Sequence, residues 1–358
     1  MTGMWRRRAL AGLGALAALL AVAVVKTLHD AGAFRRIEPH FAGSCRPVRG
    51  AIGPEDLTIH PRTNVAFVSA YDRRAAERGE PRPGAIYSYR LSDPAARLEN
   101  LTPDAGIDFQ PHGLSLWVGE DGHDGLFVVN HPAPRPGGPR HTIEVFDVVG
   151  EALQHRRSLT DPALLVMPND LVAVGPDRFY VTNTHANPPG LAQTLETYLQ
   201  LRRARVVFFD GMAFRSAIDG LQLPNGINRS ADGRRLFVAS STGRAVREYA
   251  RDPDTESLRF VREIFVGSGV DNIEVDAAGD LWIGAHPNLL AVPRLMADPA
   301  ARSPSEVVRV SPATGAVEEI YLDDGSQISG SSVAAVSGDR LLIGQIFGDG
   351  ILDCTMSR

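Results

Sequence analysis

Six times between residues 50 and 350 a polar turn gives way to a short apolar run, and this recurrence leaves the chain few architectures to choose from. The instances are Pro61-Arg62-Thr63-Asn64 before Val65-Ala66-Phe67-Val68, Asp124-Gly125 before Leu126-Phe127-Val128-Val129, and Gly175-Pro176-Asp177 before Phe179-Tyr180-Val181. They continue with Ala231-Asp232-Gly233 before Leu236-Phe237-Val238, Ala278-Gly279-Asp280 before Leu281-Trp282-Ile283, and Gly338-Asp339 before Leu341-Leu342-Ile343. Their spacing is roughly 45–60 residues, close to one blade of a propeller, and a unit of that size must stack on its neighbours to bury its apolar faces. Other β-like runs lie between them, such as Ala85-Ile86-Tyr87-Ser88-Tyr89, Thr142-Ile143-Glu144-Val145-Phe146 and Glu306-Val307-Val308-Arg309-Val310. Three or four strands per repeat and six repeats give an all-β fold, a six-bladed β-propeller. The 35 glycines and 25 prolines, against 7% aromatic residues, supply the many turns such a fold needs. One stretch breaks the pattern: Leu191 to Arg205 is rich in Leu, Gln and Arg and predicts a helix of about 3–4 turns over one face of the disc.

The two ends of the chain carry separate signals. Arg6, Arg7 and Arg8 precede an apolar run from Ala9 to Val25, and Lys26 follows it. Residues 1–36 therefore read as a signal or anchor segment with a linker, and residues 37–358 as the propeller domain. Ala21-Val22-Ala23 resembles a cleavage site, but it lies inside the apolar run, so an uncleaved anchor is the preferred reading. In that case the arginines stay in the cytoplasm and the body is exported and membrane-anchored on the non-cytoplasmic side. If the segment is cleaved, the body is secreted or periplasmic. Cys45 and Cys354 are the only cysteines and flank the repeats. In an exported chain they read as one disulfide joining the ends, the alternative being two unrelated buried thiols.

The formal net charge is −5. Six of the basic residues (Arg6, Arg7, Arg8, Lys26, Arg35, Arg36) and one acidic residue (Asp30) fall in the first 36 positions, leaving the body 31 basic and 41 acidic residues, a net of −10. With no basic run in the body, nucleic acid is not an expected partner. An acidic body suits a divalent cation.

Oxygen side chains concentrate at four strand ends in apolar surroundings: Glu55-Asp56, Asn169-Asp170, Asn225 within Pro224-Asn225-Gly226-Ile227-Asn228, and Asp271-Asn272. Singly, such a pair is the ordinary cap of a turn or strand end. Four of them in separate repeats point to a hard cation, because unpartnered buried carboxylates and amides are costly. Calcium accepts such mixed oxygen donors in irregular geometry, which magnesium tolerates poorly. Histidines form a second constellation: His112 in Phe109-Gln110-Pro111-His112-Gly113, His131 in Val129-Asn130-His131-Pro132, then His185 and His286 after strands. Each alone is a common turn residue; a histidine near such a cation can also serve as a general base on water. No Gly-x-Ser-x-Gly elbow, phosphate-binding loop or zinc-spaced Cys/His set occurs. Asn100 and Asn228 lie in N-x-S/T sequons.

Taken together these segments resemble the paraoxonase/arylesterase family. The matching pieces include Gly53-Pro54-Glu55-Asp56, Pro111-His112-Gly113, Asn130-His131-Pro132, Pro168-Asn169-Asp170-Leu171-Val172-Ala173-Val174-Gly175-Pro176, Asn225-Gly226-Ile227-Asn228, Val270-Asp271-Asn272-Ile273, Gly279-Asp280-Leu281-Trp282-Ile283-Gly284-Ala285-His286-Pro287-Asn288 and Gly330-Ser331-Ser332-Val333. They run in order through every repeat, over about residues 45–354.

The resemblance implies a propeller with two calcium ions in a central tunnel. It assigns Glu55, Asn169, Asn225, Asp271 and Asn272 to a catalytic ion, and Asp56, Asp170 and the carbonyl of Leu114 to a deeper structural ion. It implies a histidine dyad at His112 and His131, a ring-closing disulfide at Cys45 and Cys354, and a retained hydrophobic N-terminus. The implied activity is hydrolysis of lactones and aryl esters, with His112 or Glu55 as the base. Two other readings are a gluconolactonase-like sugar-lactone hydrolase and a non-catalytic propeller that binds partners. This sequence departs from the family at Ser69-Ala70-Tyr71-Asp72-Arg73, at Thr184 before His185, and across Leu191–Arg205, all expected to shape the tunnel mouth. Tyr71, Leu289, Leu290 and Phe347 are the expected apolar mouth residues.

Overall fold

The computed structural model describes residues 2–133, 136 and 140–357. Residues 43–356 form six antiparallel sheets arranged as the blades of a propeller. The innermost strands are Pro54–Ile59, Pro111–Trp117, Pro168–Gly175, Pro224–Arg229, Gly269–Val275 and Ser331–Ser337. Each packs against the innermost strand of the next blade, and the last packs against the first, so the ring is closed.

The six recurrent apolar runs are the second strand of every blade: Val65–Ala70, Asp124–Asn130, Arg178–Asn183, Arg235–Ser240, Leu281–His286 and Arg340–Gln345. Almost every residue in them is buried. Both faces of a second strand meet a neighbouring blade, and therefore its sequence is continuously apolar. The outermost strand Ala152–Leu159 instead alternates between exposed and half-buried residues, because one of its faces meets solvent. The core is divided accordingly into six apolar clusters, each filling the wedge between two adjacent blades.

Ring closure joins distant parts of the chain. The sixth blade takes its fourth, outer strand, Gly43–Ile52, from the N-terminal side, where it pairs with Asp349–Met356. Within that pair Cys45 lies opposite Cys354, and the two are joined by a disulfide across 309 residues of sequence. A second short strand, His40–Phe41, extends the fifth blade.

Among the described residues four helices accompany the disc: α1 (Thr2–Asp30), α2 (Arg73–Glu77), α3 (Leu191–Tyr198) and α4 (Ala291–Ala297). The apolar run of the N-terminus lies in α1, whose segment Leu10–Asp30 is long and apolar enough to cross a membrane; a signal sequence has the same character. The foot of α1 is held to the propeller. Leu289 donates its backbone N–H to the Ala31 carbonyl at 2.9 Å. Arg244 reaches Asp30 at 3.1 Å, and Arg35 clamps Glu306 through two parallel bonds of 2.8 and 3.0 Å. The expected helix over Leu191–Arg205 is shorter than its composition predicts. It covers only 8 residues, because Gln200 turns to a positive φ of 53° and the chain must reach the strand Ala204–Phe209. Its Leu191 and Leu195, and Leu199 that caps it, are exposed.

The outer strand and the disulfide fasten a single seam, so losing the disulfide leaves strand pairing alone to close the ring. Cys354→Ser is expected to cost about 2–5 kcal/mol of stability, the usual scale for a native disulfide. Thermal and denaturant unfolding of oxidised wild type and variant would measure it; equal stability of the two would show that the strand pairing alone holds the seam.

Candidate metal centre and histidine chain

Every innermost strand loses its regular pairing at the same point. The register shifts fall at Pro54/Asp56, Pro111/Leu114, Pro168/Leu171, Pro224/Ile227, Val270/Ile273 and Ser331/Val333. Four of the strands open on proline, which has no N–H to offer a ladder and suits the first residue of a strand. An irregularity of this kind bends the strand and re-aims its side chains. Here it turns one or two residues per blade toward the axis, so a sixfold repeat of backbone geometry becomes a ring of functional groups.

The outer ring comprises Glu55, His112, Asn169, Asn225 and Asp271, which line one cavity of about 910 Å³. That is ample for a small organic substrate. Asn272 lies just below and donates its amide N–H to Glu55 Oε1 at 3.0 Å, while Ser332 donates to the Glu55 backbone carbonyl at 2.6 Å. Deeper still, Asp56 Oδ1 accepts from the N–H of Leu57 at 2.9 Å and Oδ2 from that of Leu114 at 2.7 Å. Asp170 repeats the arrangement, accepting from Leu171 at 2.7 Å and from Ile227 at 2.8 Å. Each of these aspartates thus ties its own strand to that of the next blade. Two glycines make the approach possible. A Cβ on Gly113 would come within 2.5 Å of the Asn169 carbonyl, and one on Gly226 within 2.4 Å of the Asp271 carbonyl.

The buried oxygens that find no partner are informative. Among the described residues, the buried carboxylate and amide oxygens without a hydrogen bond are Glu55 Oε2, Asn169 Oδ1, Asn225 Oδ1, Asp271 Oδ1 and Asn272 Oδ1, and no others. Buried acceptors are almost always satisfied, so five orphans in one ring call for an explanation. No three His, Cys, Asp or Glu side chains among the described residues converge as a metal cluster. The convergent set is instead two carboxylates and three amides.

Charge sharpens the point. Burial, then the neighbouring charges of Asp170, Glu55 and Glu274, push the Asp56 carboxyl well above the ordinary carboxylate range. Burial likewise raises Asp170 well above it despite its two backbone donors, and raises Asp271 despite His286. For Glu55 burial is outweighed by His112 and Arg73, which hold it below its usual value. His286 contacts Asp271 at 2.7 Å, and Arg73 Nη2 lies 3.6 Å from Glu55.

His112 and His131 are brought together as expected, Nδ1 to Nε2 at 2.8 Å. The other ring nitrogen of His112 faces the oxygen ring, 3.3 Å from Glu55 Oε2 and 3.4 Å from the Asn169 amide nitrogen. His185 is not part of this group; it is tied to Thr184 and Thr197 at 2.9 Å each and holds α3 in place. Tyr71, Leu289 and Phe347 line the cavity, whereas Leu290 does not and instead begins α4. Glu274 and His141 escaped the sequence reading, and Arg73 figured there only within the mouth segment Ser69–Arg73. Arg73 stands at the start of α2; Glu274 accepts from Thr58 and Asn228 lower in the tunnel; His141 touches His131. A polar residue among the apolar ones of Ile273-Glu274-Val275 was the one available signal for Glu274.

Comparison with known proteins places the chain among relatives. The family described as Arylesterase matches residues 45–356. The chain is 32% identical over 355 residues to serum paraoxonase/arylesterase 2 of Rattus norvegicus, covering 96% of this chain and 98% of that one. It is 33% identical over 329 residues to human serum paraoxonase/arylesterase 1, covering 88% and 90%. Among solved structures, a gluconolactonase from Xanthomonas campestris superposes with a TM-score of 0.54 at 16% identity, covering 90% of this chain and 99% of that chain. The calcium-binding protein regucalcin from Agrobacterium tumefaciens gives 0.52 at 13%, covering 89% and 96%. At those identities the two structures attest the propeller fold alone. The family match across the whole propeller, and relatives above 30% identity along nearly the full chain, place this protein in the arylesterase family.

Proposed function

We propose that this chain is a calcium-dependent hydrolase of lactones and aryl esters. Family membership supports a lactone or ester hydrolase, and the five unpartnered oxygens on the propeller axis carry the rest of the reading. They are hard donors, mixed between carboxylate and amide, which is the set that calcium accepts and that thiolate- or imidazole-seeking metals do not favour. Glu55, Asn169, Asn225, Asp271 and Asn272 would hold the upper ion. Asp56, Asp170 and the Leu114 carbonyl would hold a second, deeper ion; Asp56 and Asp170 already brace adjacent blades. Bound there, calcium supplies positive charge beside the substrate carbonyl oxygen as negative charge develops on it.

The chain's own residues do the rest. The attacking water sits between the substrate carbonyl and His112 Nε2, which takes its proton. His131 holds the opposite nitrogen of the same ring and so fixes its orientation. Arg73 offsets the charge of Glu55 and keeps it a carboxylate. The mouth excludes bulk water: α2, α3 and α4 all contribute to it, and Leu223, Leu289, Val292, Met296 and Phe347 make much of its surface apolar. That lining favours an alkyl-substituted lactone over a polar sugar lactone. A lactone also presents its carbonyl in a fixed geometry, so little freedom is lost on docking.

We further infer that α1 is retained and tethers the propeller to a membrane on its non-cytoplasmic side. The clamps at Asp30, Ala31 and Arg35 give the helix a fixed exit from the disc, and the disulfide suits an oxidising compartment. A mature protein starting at Met1 or Thr2 and recovered with membranes is the expected result; a mature N-terminus near residue 24 would show a cleaved signal instead.

Separation of metal from base provides the next test. Chelation is expected to abolish turnover and lower the melting temperature, since a ligand at about 100 times its Kd contributes about 2.7 kcal/mol to the folded state. Asp271→Ala should lose bound calcium together with activity. His112→Gln should keep the metal and lose turnover. Full activity and an unchanged melting temperature in excess chelator would contradict the calcium reading; wild-type turnover in His112→Gln would move the base to Glu55.

The substrate class is read from kcat/KM for a long-chain γ- or δ-lactone, phenyl acetate, gluconolactone and a phosphotriester. The alkyl lactone should be fastest and phenyl acetate second. A faster rate for gluconolactone would favour the sugar-lactone reading. No turnover with any of the four in a calcium-loaded protein would favour a non-catalytic propeller.

A further inference from the structure

His141 stands immediately before the strand Thr142–Val149, at the far side of His131 from the oxygen ring. Its Nδ1 lies 2.7 Å from His131 Nδ1, and His131 Nε2 lies 2.8 Å from His112 Nδ1. The three rings meet edge to face in sequence, with centroids 4.9 and 4.8 Å apart at 79° and 86°. Both nitrogens of the central ring are therefore engaged, one on each neighbour.

Each imidazole-to-imidazole contact needs one N–H and one lone pair, so the tautomers of the three rings are not independent. Two groups face His112 Nε2: Glu55 Oε2 at 3.3 Å, an acceptor that a bound cation would engage, and the Asn169 amide nitrogen at 3.4 Å, which can only donate and, with Glu55 so engaged, calls for a lone pair on Nε2. With the lone pair at that nitrogen, His112 carries its proton on Nδ1 and donates to His131 Nε2. His131 then carries its proton on Nδ1 and donates to His141 Nδ1. His141 is left with its proton on the buried Nε2, and the Val166 carbonyl is the acceptor near that ring. In this arrangement the nitrogen facing the oxygen ring is free to accept a proton from water, as the proposed reaction requires. Without an acceptor at His141, nothing would hold the His131 proton on Nδ1, and the ring would be free to turn or to present N–H toward His112.

We propose that His141 is a positioning residue for the reaction, the third member of an imidazole chain that fixes the tautomer of His131 and, through it, that of His112. The inference rests on the hydrolytic reading above and deepens it. Two features support it. Burial, with Arg140 beside it, lowers His141 to about 4, outweighing the Val166 carbonyl. Burial, followed by the charges of His112 and His141, lowers His131 well below its usual value. His131 and His141 are thus uncharged near neutral pH, and the chain can adopt the single alternation of donor and acceptor that the geometry requires. Second, His141 also lines the catalytic cavity, so its ring is held by the same wall as the substrate.

His141→Leu removes the acceptor, and His141→Asn restores one, because the Asn side-chain oxygen sits close to the place of Nδ1. With the fastest substrate of the wild type, kcat in His141→Leu should fall about 10–100-fold, the usual loss when an orienting partner of a functional histidine is removed. KM, bound calcium and melting temperature should stay near wild type, and His141→Asn should recover most of the lost kcat. A His141→Leu kcat within twofold of wild type, or an Asn variant as slow as the Leu variant, would overturn the proposal. Nitrogen-15 spectra of histidine-labelled protein give a readout that needs no turnover. His131 should show the Nδ1–H tautomer in wild type and His141→Asn, and a mixture in His141→Leu. If calcium-loaded wild type hydrolyses nothing, the hydrolytic reading has failed, and those spectra alone decide the chain: an unchanged His131 tautomer in His141→Leu overturns it.

Discussion

Repulsion among buried carboxylates is the constraint around which this molecule is built. Glu55, Asp56, Asp170 and Asp271 are each at most 3% exposed and gather around one axis, where the guanidinium of Arg73 reaches only the first. Burial in such surroundings disfavours charge. Backbone N–H groups satisfy Asp56 and Asp170 but leave five oxygens of the groups above them without a hydrogen bond. A six-bladed propeller is well suited to hold such a group together, since six strands meet at the axis and each delivers one or two side chains at the same irregularity. The cost is that the ring has a seam, closed here by an outer strand from the N-terminal side and by Cys45–Cys354.

Much of this was legible in the sequence because buried structure leaves continuous apolar runs. The second strand of each blade is sandwiched between neighbours, so its composition alone marked all six repeats. The ring of oxygen side chains was legible for the opposite reason: Asn169-Asp170 ahead of Leu171-Val172, or Asp271-Asn272 between Val270 and Ile273, are polar residues where packing would ask for apolar ones. What sequence could not supply was the meeting of groups from different segments. His141 follows a stretch of prolines and glycines whose path no periodicity describes, and only the pairing of Thr142–Val149 with Asp124–Asn130 places it beside His131. Arg73 was hidden in a segment without repeat character. The length of α3 was overestimated because helix-forming composition continues past Tyr198, while Gln200 turns the chain toward its strand.

The floor and the mouth of the site follow different rules. The floor is set by strands that every blade shares, so a change there disturbs the ring as well as the chemistry. The mouth is assembled from α2, α3, α4 and their loops, which contribute apolar side chains without bearing the load of the propeller. Selection among lactones and esters can therefore shift at the mouth while the oxygen ring stays constant. The foot of α1 docks beside this mouth through Ala31 and Leu289, which couples the placement of the N-terminal helix to the loop that leads into α4. The exposed Leu191 and Leu195 of α3, with Leu199 at its C-cap, add an apolar edge that the propeller itself does not use.

The central claim is that five orphaned oxygens are aimed at one cation. A crystal structure determined in the presence of calcium addresses it directly. The account predicts an ion in the tunnel bonded to Glu55 Oε2, Asn169 Oδ1, Asn225 Oδ1, Asp271 Oδ1 and Asn272 Oδ1 at about 2.3–2.6 Å, the range of calcium–oxygen bonds. Those oxygens bonded to water alone at saturating calcium, or an ion held by other residues, would contradict it.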